Sequence, residues 1–243
     1  MIRLCAICLA AAAMLAAAPR PRVVVVVSAN AEWREVRKLF PRATYEKTPY
    51  GEFFNHQGTV VFQGGWGKIS AAASAQYAID RWRPESLINL GTCGGIAGRI
   101  ERFANVLVTK TIVYDIVEQM GDAQEAIDFY ATPIDLAWIA GRPTPPVRQA
   151  PLLSADRDLI AGQIPELVRK YDAIAVDWES GAIAWTARRN HVRVVILRGV
   201  TDLVGEQGGE AYGNVAVFEQ GTARVMKSLF DSLPRWLELM RGR

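Results

Sequence analysis

Half of the 243 residues are apolar, enough to bury one large core, and α/β domains of this length commonly run undivided. The net charge of +3, with a pI near 8.8, is mild, and Lys and Arg are scattered rather than gathered into a stripe, which gives no support to nucleic-acid binding. Of three cysteines, Cys5 and Cys8 fall in the leader described next; only Cys93 remains, which excludes an intrachain disulfide from the rest of the chain.

Met1 to Ala18 has an early basic residue (Arg3), an apolar stretch from Leu4 to Leu15 and a small-residue end, the pattern of a secretory signal peptide. The protein is therefore expected to be exported, periplasmic or secreted. The competing reading is a mis-assigned start, with translation beginning near Val23 and a cytoplasmic product. The apolar stretch is short for a membrane span. Residues 22–243 contain no internal repeat, low-complexity segment or linker, and one domain is expected over them.

Val23 to Val27 is an unbroken β-branched run, the signature of a central strand covered on both faces. Ser28 to Glu32 then lies beyond the carboxyl end of that strand, where open α/β sheets bind ligands. Glu32 is thus a site candidate, although a carboxylate in the first turn of the following helix, EWREVRKLF, also has a reason to be there in the helix dipole. After Pro41 come TVVFQGG (59–65) as a strand and a long Ala-rich helix, KISAAASAQYAIDRW, stopped before Pro84. SLINLG (86–91) reads as a buried strand, TCGGIAG as the loop behind it, and ANVLVTKTIVYD (104–115) as a long strand. Residues 116–147, with four prolines, read as irregular. PLLSA as a strand, a helix through GQIPELVRKY, the strand AIAVD, a helix SGAIAWTARRN, the strand VRVVILRGV and a helical tail from Asn214 complete the chain. This alternation predicts a single α/β domain: a central, mostly parallel mixed sheet with helices on both faces.

Three strand ends carry acids: Glu32 after the first, Asp177 and Glu179 after AIAV, and Asp202 after VRVVILRGV. Separated carboxyl groups at one sheet edge suit cleavage of a glycosidic bond, where one protonates the leaving group and another activates water.

VVVVVSANAEW, GGWGK, LINLGTCGG, VLVTKTIVYD, IAVDWESGAIA and VVILRGVTD, in this order, resemble the nucleoside phosphorylase superfamily, and within it the hydrolytic branch of 5′-methylthioadenosine/S-adenosylhomocysteine nucleosidases. The resemblance runs from Arg22 to the final helix. It implies a nucleoside phosphorylase-like fold, a small-molecule nucleoside substrate, no cofactor and no metal, and a homodimer. Carried over position by position, it makes Glu32 the acid that activates water and Asp202 the donor of a proton to purine N7, with Thr201 where the family usually has serine. Glu179 corresponds to the glutamate that binds the ribose hydroxyls, and Trp178 takes the place of a methionine that packs against the sugar. Thr92, Cys93 and Gly94 correspond to the segment flanking the ribose, Leu159 to a residue beside the base, and Tyr114 and Tyr212 to aromatics on the 5′ side, one of them facing a neighbouring subunit. Asp158 falls where a phenylalanine stacks on the base. The substrate is therefore left open among methylthioadenosine, adenosylhomocysteine and other purine nucleosides such as futalosine.

Phosphorylases of the superfamily carry a Gly-Asp-Pro-x-Arg phosphate loop after the first strand, where this chain reads SANAEW. An incoming phosphate would meet Glu32 and be repelled, which favours water. The alternatives are a phosphate-dependent phosphorylase and an exported nucleoside-binding protein without turnover. Other residues carry less. Cys93 is expected to be a small loop residue rather than a nucleophile, and His56 and His191 lack metal-ligand spacing. GGWGKIS fails the Walker pattern because Phe62 stands where its first glycine belongs. The tryptophans at 138, 185 and 236 are expected in the core or at a subunit contact.

Overall fold

The computed structural model describes residues 21–143 and 145–241, so the expected leader, Met1 to Ala18, lies outside the described residues. In chain order the elements are β1 (Val23–Val27), α1 (Asn30–Leu39), β2 (Glu46–Lys47), β3 (Glu52–His56), β4 (Thr59–Gln63), α2 (Gly67–Trp82), β5 (Ser86–Ile96) and β6 (Asn105–Val113). There follow α3 (Ala123–Tyr130), β7 (Thr132–Pro133), β8 (Arg148–Ser154), α4 (Ile164–Tyr171), β9 (Ala175–Asp177), α5 (Ser180–Arg189), β10 (Arg193–Gly205), β11 (Gly208–Gly209) and α6 (Val215–Arg241).

The valine run shows how the core is laid out. Successive side chains of a strand point to opposite faces. Val24 and Val26 accordingly pack among Ala71, Ala75 and Ala78 of α2 and Ile183 and Ala187 of α5, while Val25 and Val27 join Trp33 and Val36 of α1 and Met226 and Leu229 of α6. Both faces of β1 are covered, which is why no polar residue interrupts it. On α2 the buried residues are Ala71, Ser74, Ala75, Ala78 and Ile79, a single helical stripe whose small side chains let α5 approach closely.

The sheet differs from the expected mostly parallel one. Among the described residues the strands join one 11-stranded sheet. β1 is parallel to β4 and β5, and β5 is parallel to β10, but β6 runs antiparallel to β10, and β9 antiparallel to β5. Parallel pairs β6 to β8 and β8 to β9 then close a ring back to β5, giving a mixed, barrel-like sheet with an antiparallel wing of β4, β3 and β2. Closure removes the edges that an open sheet would leave at β5 and β10.

Two local expectations are also corrected. TCGGI is not a loop: β5 continues to Ile96, because β10 pairs along its whole length and β9 takes the other edge at Gly94 and Gly95. The glycines serve packing, since a Cβ on Gly95 would stand 2.8 Å from both Ile100 and Val200. Residues 116–147, expected to be irregular, contain α3, which Asp122 caps by accepting from the Gln124 amide at 2.8 Å. No helix among the described residues is long and apolar enough to cross a membrane.

Candidate active site

The acids meet in a cleft of about 750 Å³ at the carboxyl end of β1, bordered by the middle of β5, the start of α5 and the outer half of β10. Glu32 answers both readings of its position at once. It is the third residue of α1, and its Oε2 accepts the Ala29 amide at 3.1 Å, satisfying one of the amides a helix start leaves free. Its Oε1 turns into the cleft and accepts the Thr92 amide at 2.5 Å and the Thr92 hydroxyl at 2.9 Å. Burial pushes the Glu32 carboxyl up, opposed by the Arg198 guanidinium and the Thr92 donors.

Arg198, to which the sequence assigns no role, organises the floor. Its side chain is 1% exposed, its Nε donates to Asp177 Oδ2 at 2.8 Å and its Nη2 to Asn89 Oδ1 at 2.5 Å. Nη1 has no hydrogen-bond partner among the described residues. Gly91 lies where this guanidinium and Glu32 converge: a Cβ there would stand 2.6 Å from Nη1 and 2.7 Å from Glu32 Oε1. Asp177 also accepts the Ser180 amide and hydroxyl, tying β9 to the first turn of α5. The signal for Arg198 was available, as a single long cation inside the apolar run VVILRGV.

Glu179 precedes α5 and accepts the Gly67 amide at 3.0 Å, from the first turn of α2. Burial, with Asp177 and Glu32 nearby, pushes its carboxyl up to about 8. The residue before each partner of this contact is an indole. Trp178 and Trp66 stack with centroids 5.1 Å apart and planes at 24°, and Trp66 is 60% exposed at the cleft mouth. Neither belongs to a packed core cluster.

At the other end, β10 bulges between Val200 and Asp202, so Thr201 is the extra residue against β5. A bulge re-aims side chains. Here the Thr201 hydroxyl donates to Asp202 Oδ1 at 2.6 Å, and burial raises the Asp202 carboxyl above its ordinary range. Tyr212 leans over this end from the glycine-rich segment after β10, its hydroxyl donating to the Leu159 carbonyl at 2.8 Å. Burial, Asp158 and Asp202 push the Tyr212 phenol up to about 12. Asp158 and Arg157 line this end as well.

The family model of the phosphorylase superfamily matches residues 21–233. The chain belongs to the phosphorylase superfamily. It is 30% identical over 195 residues to the 5′-methylthioadenosine/S-adenosylhomocysteine nucleosidase of Maridesulfovibrio salexigens, covering 72% of this chain and 82% of that one. It is 26% identical over 165 residues to the nucleosidase of the same name from Halalkalibacterium halodurans, covering 63% and 71%. Among solved structures, the fold is shared with the apo 5′-methylthioadenosine nucleosidase of Arabidopsis thaliana, with a TM-score of 0.71, 20% identity and coverage of 93% of this chain and 98% of that one. It is likewise shared with futalosine hydrolase of Helicobacter pylori, with a TM-score of 0.69, 15% identity and coverage of 88% and 98%.

Within this superfamily member, the cleft gathers Glu32, Thr92, Cys93, Gly94 and Leu159 with Trp178, Glu179, Thr201, Asp202 and Tyr212. Tyr114 does not join them: it is buried beneath the Arg157 guanidinium, 5.4 Å from its ring centroid. Cys93 is a strand residue rather than a loop one; burial pushes its thiol far up, and its Sγ contacts the Gly199 carbonyl at 3.6 Å. A neutral, hydrogen-bonded thiol is a poor nucleophile. Trp66, dismissed with the failed Walker fragment, lines the cleft. Among the described residues no group of three or more His, Cys, Asp or Glu side chains is arranged to hold a metal ion.

Proposed function

We propose that the protein is a purine nucleoside N-ribohydrolase of the methylthioadenosine/adenosylhomocysteine kind, using water rather than phosphate. The observation that carries this is the placement of Glu32: a buried carboxylate, fixed by Ala29 and Thr92, in the same cleft as Asp202, where the buried cation Arg198 is held through Nε by Asp177 and through Nη2 by Asn89. A phosphate dianion would enter against Glu32 and Asp177, whereas water needs only a base.

The chemistry then runs as follows. Asp202 gives its proton to purine N7 as the bond between C1′ and the base nitrogen breaks, so the base leaves neutral. The sugar left behind has oxocarbenium character, stabilised by the surrounding carboxylates. Glu32 takes a proton from water while the water oxygen bonds to C1′, and loss of that proton to solvent with reprotonation of Asp202 restores the site. Glu179 receives the ribose hydroxyls, and Thr92, Cys93 and Gly94 line the nucleophile side. The Trp66–Trp178 wall favours a nucleoside whose 5′ substituent is apolar, such as the methylthio group in the first substrate that names the relatives.

A homodimer is part of this reading. Met120, Phe129 and Val117 are exposed large apolar residues clustered in the stretch that follows β6, and Phe129 and Tyr130 pack on Trp185.

The test is release of free base from a panel of purine nucleosides with and without phosphate. Base and free ribosyl product in phosphate-free buffer are expected. Strict dependence on phosphate with formation of ribose 1-phosphate makes it a phosphorylase, and tight binding without base release makes it a binding protein.

A further inference from the structure

The first two free amides of α2 are taken by carboxylates from different parts of the chain. The Gly67 amide donates to Glu179 at 3.0 Å, and the Lys68 amide donates to Asp156 Oδ1 at 2.8 Å. Trp66, the residue before them, offers no side-chain cap, so these two acids are what satisfies the helix start. Asp156 is itself held, because its amide donates to Asp115 Oδ2 at 2.9 Å. Asp115 in turn receives the Lys68 ammonium through Oδ1. Lys68 thus bonds Asp156 with its backbone and Asp115 with its side chain, and a closed ring locks the ends of β6 and β8 to the start of α2.

The ring bears on Glu179 from both sides of its hydrogen bond. Gly67 has φ +81, a backbone conformation that side chains rarely adopt, and a Cβ there would stand 3.1 Å from Asp156 Oδ1. Asp156 therefore holds the peptide next to the one that donates to Glu179. The partner of that donation is fixed too: β8 and β9 pair at Ser154 and Asp177, the Ala155 amide donates to the Asp177 carbonyl at 3.0 Å, and Glu179 follows two residues later. None of Lys68, Asp115 and Asp156 lines the cleft where Glu179 would meet a ligand.

We infer that Lys68, Asp115 and Asp156 are positioning residues that hold the Gly67 amide on Glu179 and thereby fix the carboxylate for the 2′- and 3′-hydroxyls of the sugar. The inference rests on the hydrolase reading above. With the ring cut, Glu179 loses a fixed donor and a fixed direction, so it grips the hydroxyls less well while Glu32 and Asp202 remain in place. The signature is an effect on sugar recognition rather than on the chemical step.

Asp156→Ala removes the acceptor for the Lys68 amide, and Asp156→Asn retains one. The expected result for Asp156→Ala is a KM for the ribonucleoside raised roughly tenfold, a kcat changed little, and a reduced preference for the ribonucleoside over its 2′-deoxy counterpart, the scale of losing part of one hydrogen bond to a charged group. Asp156→Asn should restore most of the preference. Should Asp156→Ala fail to fold by circular dichroism, Asp115→Ala, which removes the acceptor of the Lys68 ammonium and of the Asp156 amide, is read in the same way. A wild type that releases no base removes the hydrolase reading and this inference together. A wild type that hydrolyses and prefers ribose, combined with a folded variant whose ribose preference is unchanged or whose kcat alone falls, overturns the inference while leaving the hydrolase standing.

Discussion

Arg198 Nε lies 2.8 Å from Asp177 Oδ2, and both side chains are 1% exposed, so the floor of the cleft rests on a fully desolvated ion pair. Two further carboxyl groups, Glu32 and Glu179, are buried beside it. Arg198 lowers the pKa of both of those carboxyls by its charge and so keeps Glu32 available as a base. Removing one member of a buried pair leaves the other charge uncompensated. Arg198→Met is therefore expected to destabilise the protein by about 3–5 kcal/mol, read as a lower denaturant midpoint with unchanged slope. The double variant Arg198→Met with Asp177→Asn should recover part of that loss, and full additivity of the two single changes would show that the pair does not act as a unit.

Stability should also depend on pH in an unusual direction. Glu179 keeps its proton in the folded state up to about 8, while in the unfolded chain it ionises in the ordinary carboxylate range. Folding then favours the protonated form, so this contribution is complete below the ordinary range and is lost as pH climbs through about 8. Burial raises Glu32 and Asp202 in the same direction. The melting temperature of the wild type is expected to fall between pH 5 and pH 8, and Glu179→Gln should flatten that slope. A melting temperature that rises steadily over this window would mean Glu179 is ionised in the fold.

The sequence carried the acids because each sits just past an apolar run, and an apolar run of strand length has one clear reading. Glu32 after Val23 to Val27 is the plainest case, lying just past the end of that strand in the first turn of α1. Chain closure was not legible. Strand direction in β6 and β9 depends on which edges meet in space, and nothing local in ANVLVTKTIV or AIAVD marks an antiparallel neighbour. Glycine misled at Gly94 and Gly95, where the strand continues, and at Gly95 it serves close packing rather than a turn. Arg198 and Trp66 were missed for opposite reasons. One is a cation hidden in a run read as a strand and a family motif, and the other an aromatic in a segment read as a family motif and a failed phosphate loop.

Assembly gives a third expectation. Val117, Met120 and Phe129 expose apolar side chains close together in sequence, Phe129 packs on Trp185, and Met120 is 95% exposed. A patch of this kind is covered in a self-associating protein. Light scattering at working concentration should give the mass of two chains, and Phe129→Glu with Met120→Glu should shift it toward one. An active monomer in the wild type would count against the homodimer.

The stacked indoles predict substrate choice. Trp66 presents an open face at the mouth of the cleft, and Trp178 backs it. Trp66→Ala should raise KM for nucleosides with an apolar 5′ substituent by roughly five- to tenfold, the scale of one lost aromatic contact, and affect the unsubstituted 5′-hydroxyl nucleoside less. Quenching of tryptophan fluorescence on titration with a slowly hydrolysed analogue should weaken in the same variant. Equal losses for both nucleosides would assign Trp66 a structural role.

The acids divide the labour in a way that separate variants can resolve. Asp202 sits under the Thr201 hydroxyl with a raised pKa, the state a proton donor needs near neutrality. Asp202→Asn keeps the shape and can still hydrogen-bond N7 but has no proton to give, so kcat should fall by roughly two to four decades while analogue binding survives. Glu32→Gln retains an acceptor for the Thr92 amide yet cannot take a proton from water, so hydrolysis should be abolished with affinity largely intact. Glu179→Gln should act on recognition instead, lowering discrimination against 2′-deoxynucleosides more than it lowers kcat. Turnover of the three variants beside calorimetric titration with a non-hydrolysable nucleoside separates these outcomes. Near wild-type turnover in either the Glu32 or the Asp202 variant would remove that residue from the mechanism, because neither proton transfer can be made by the amide that replaces it.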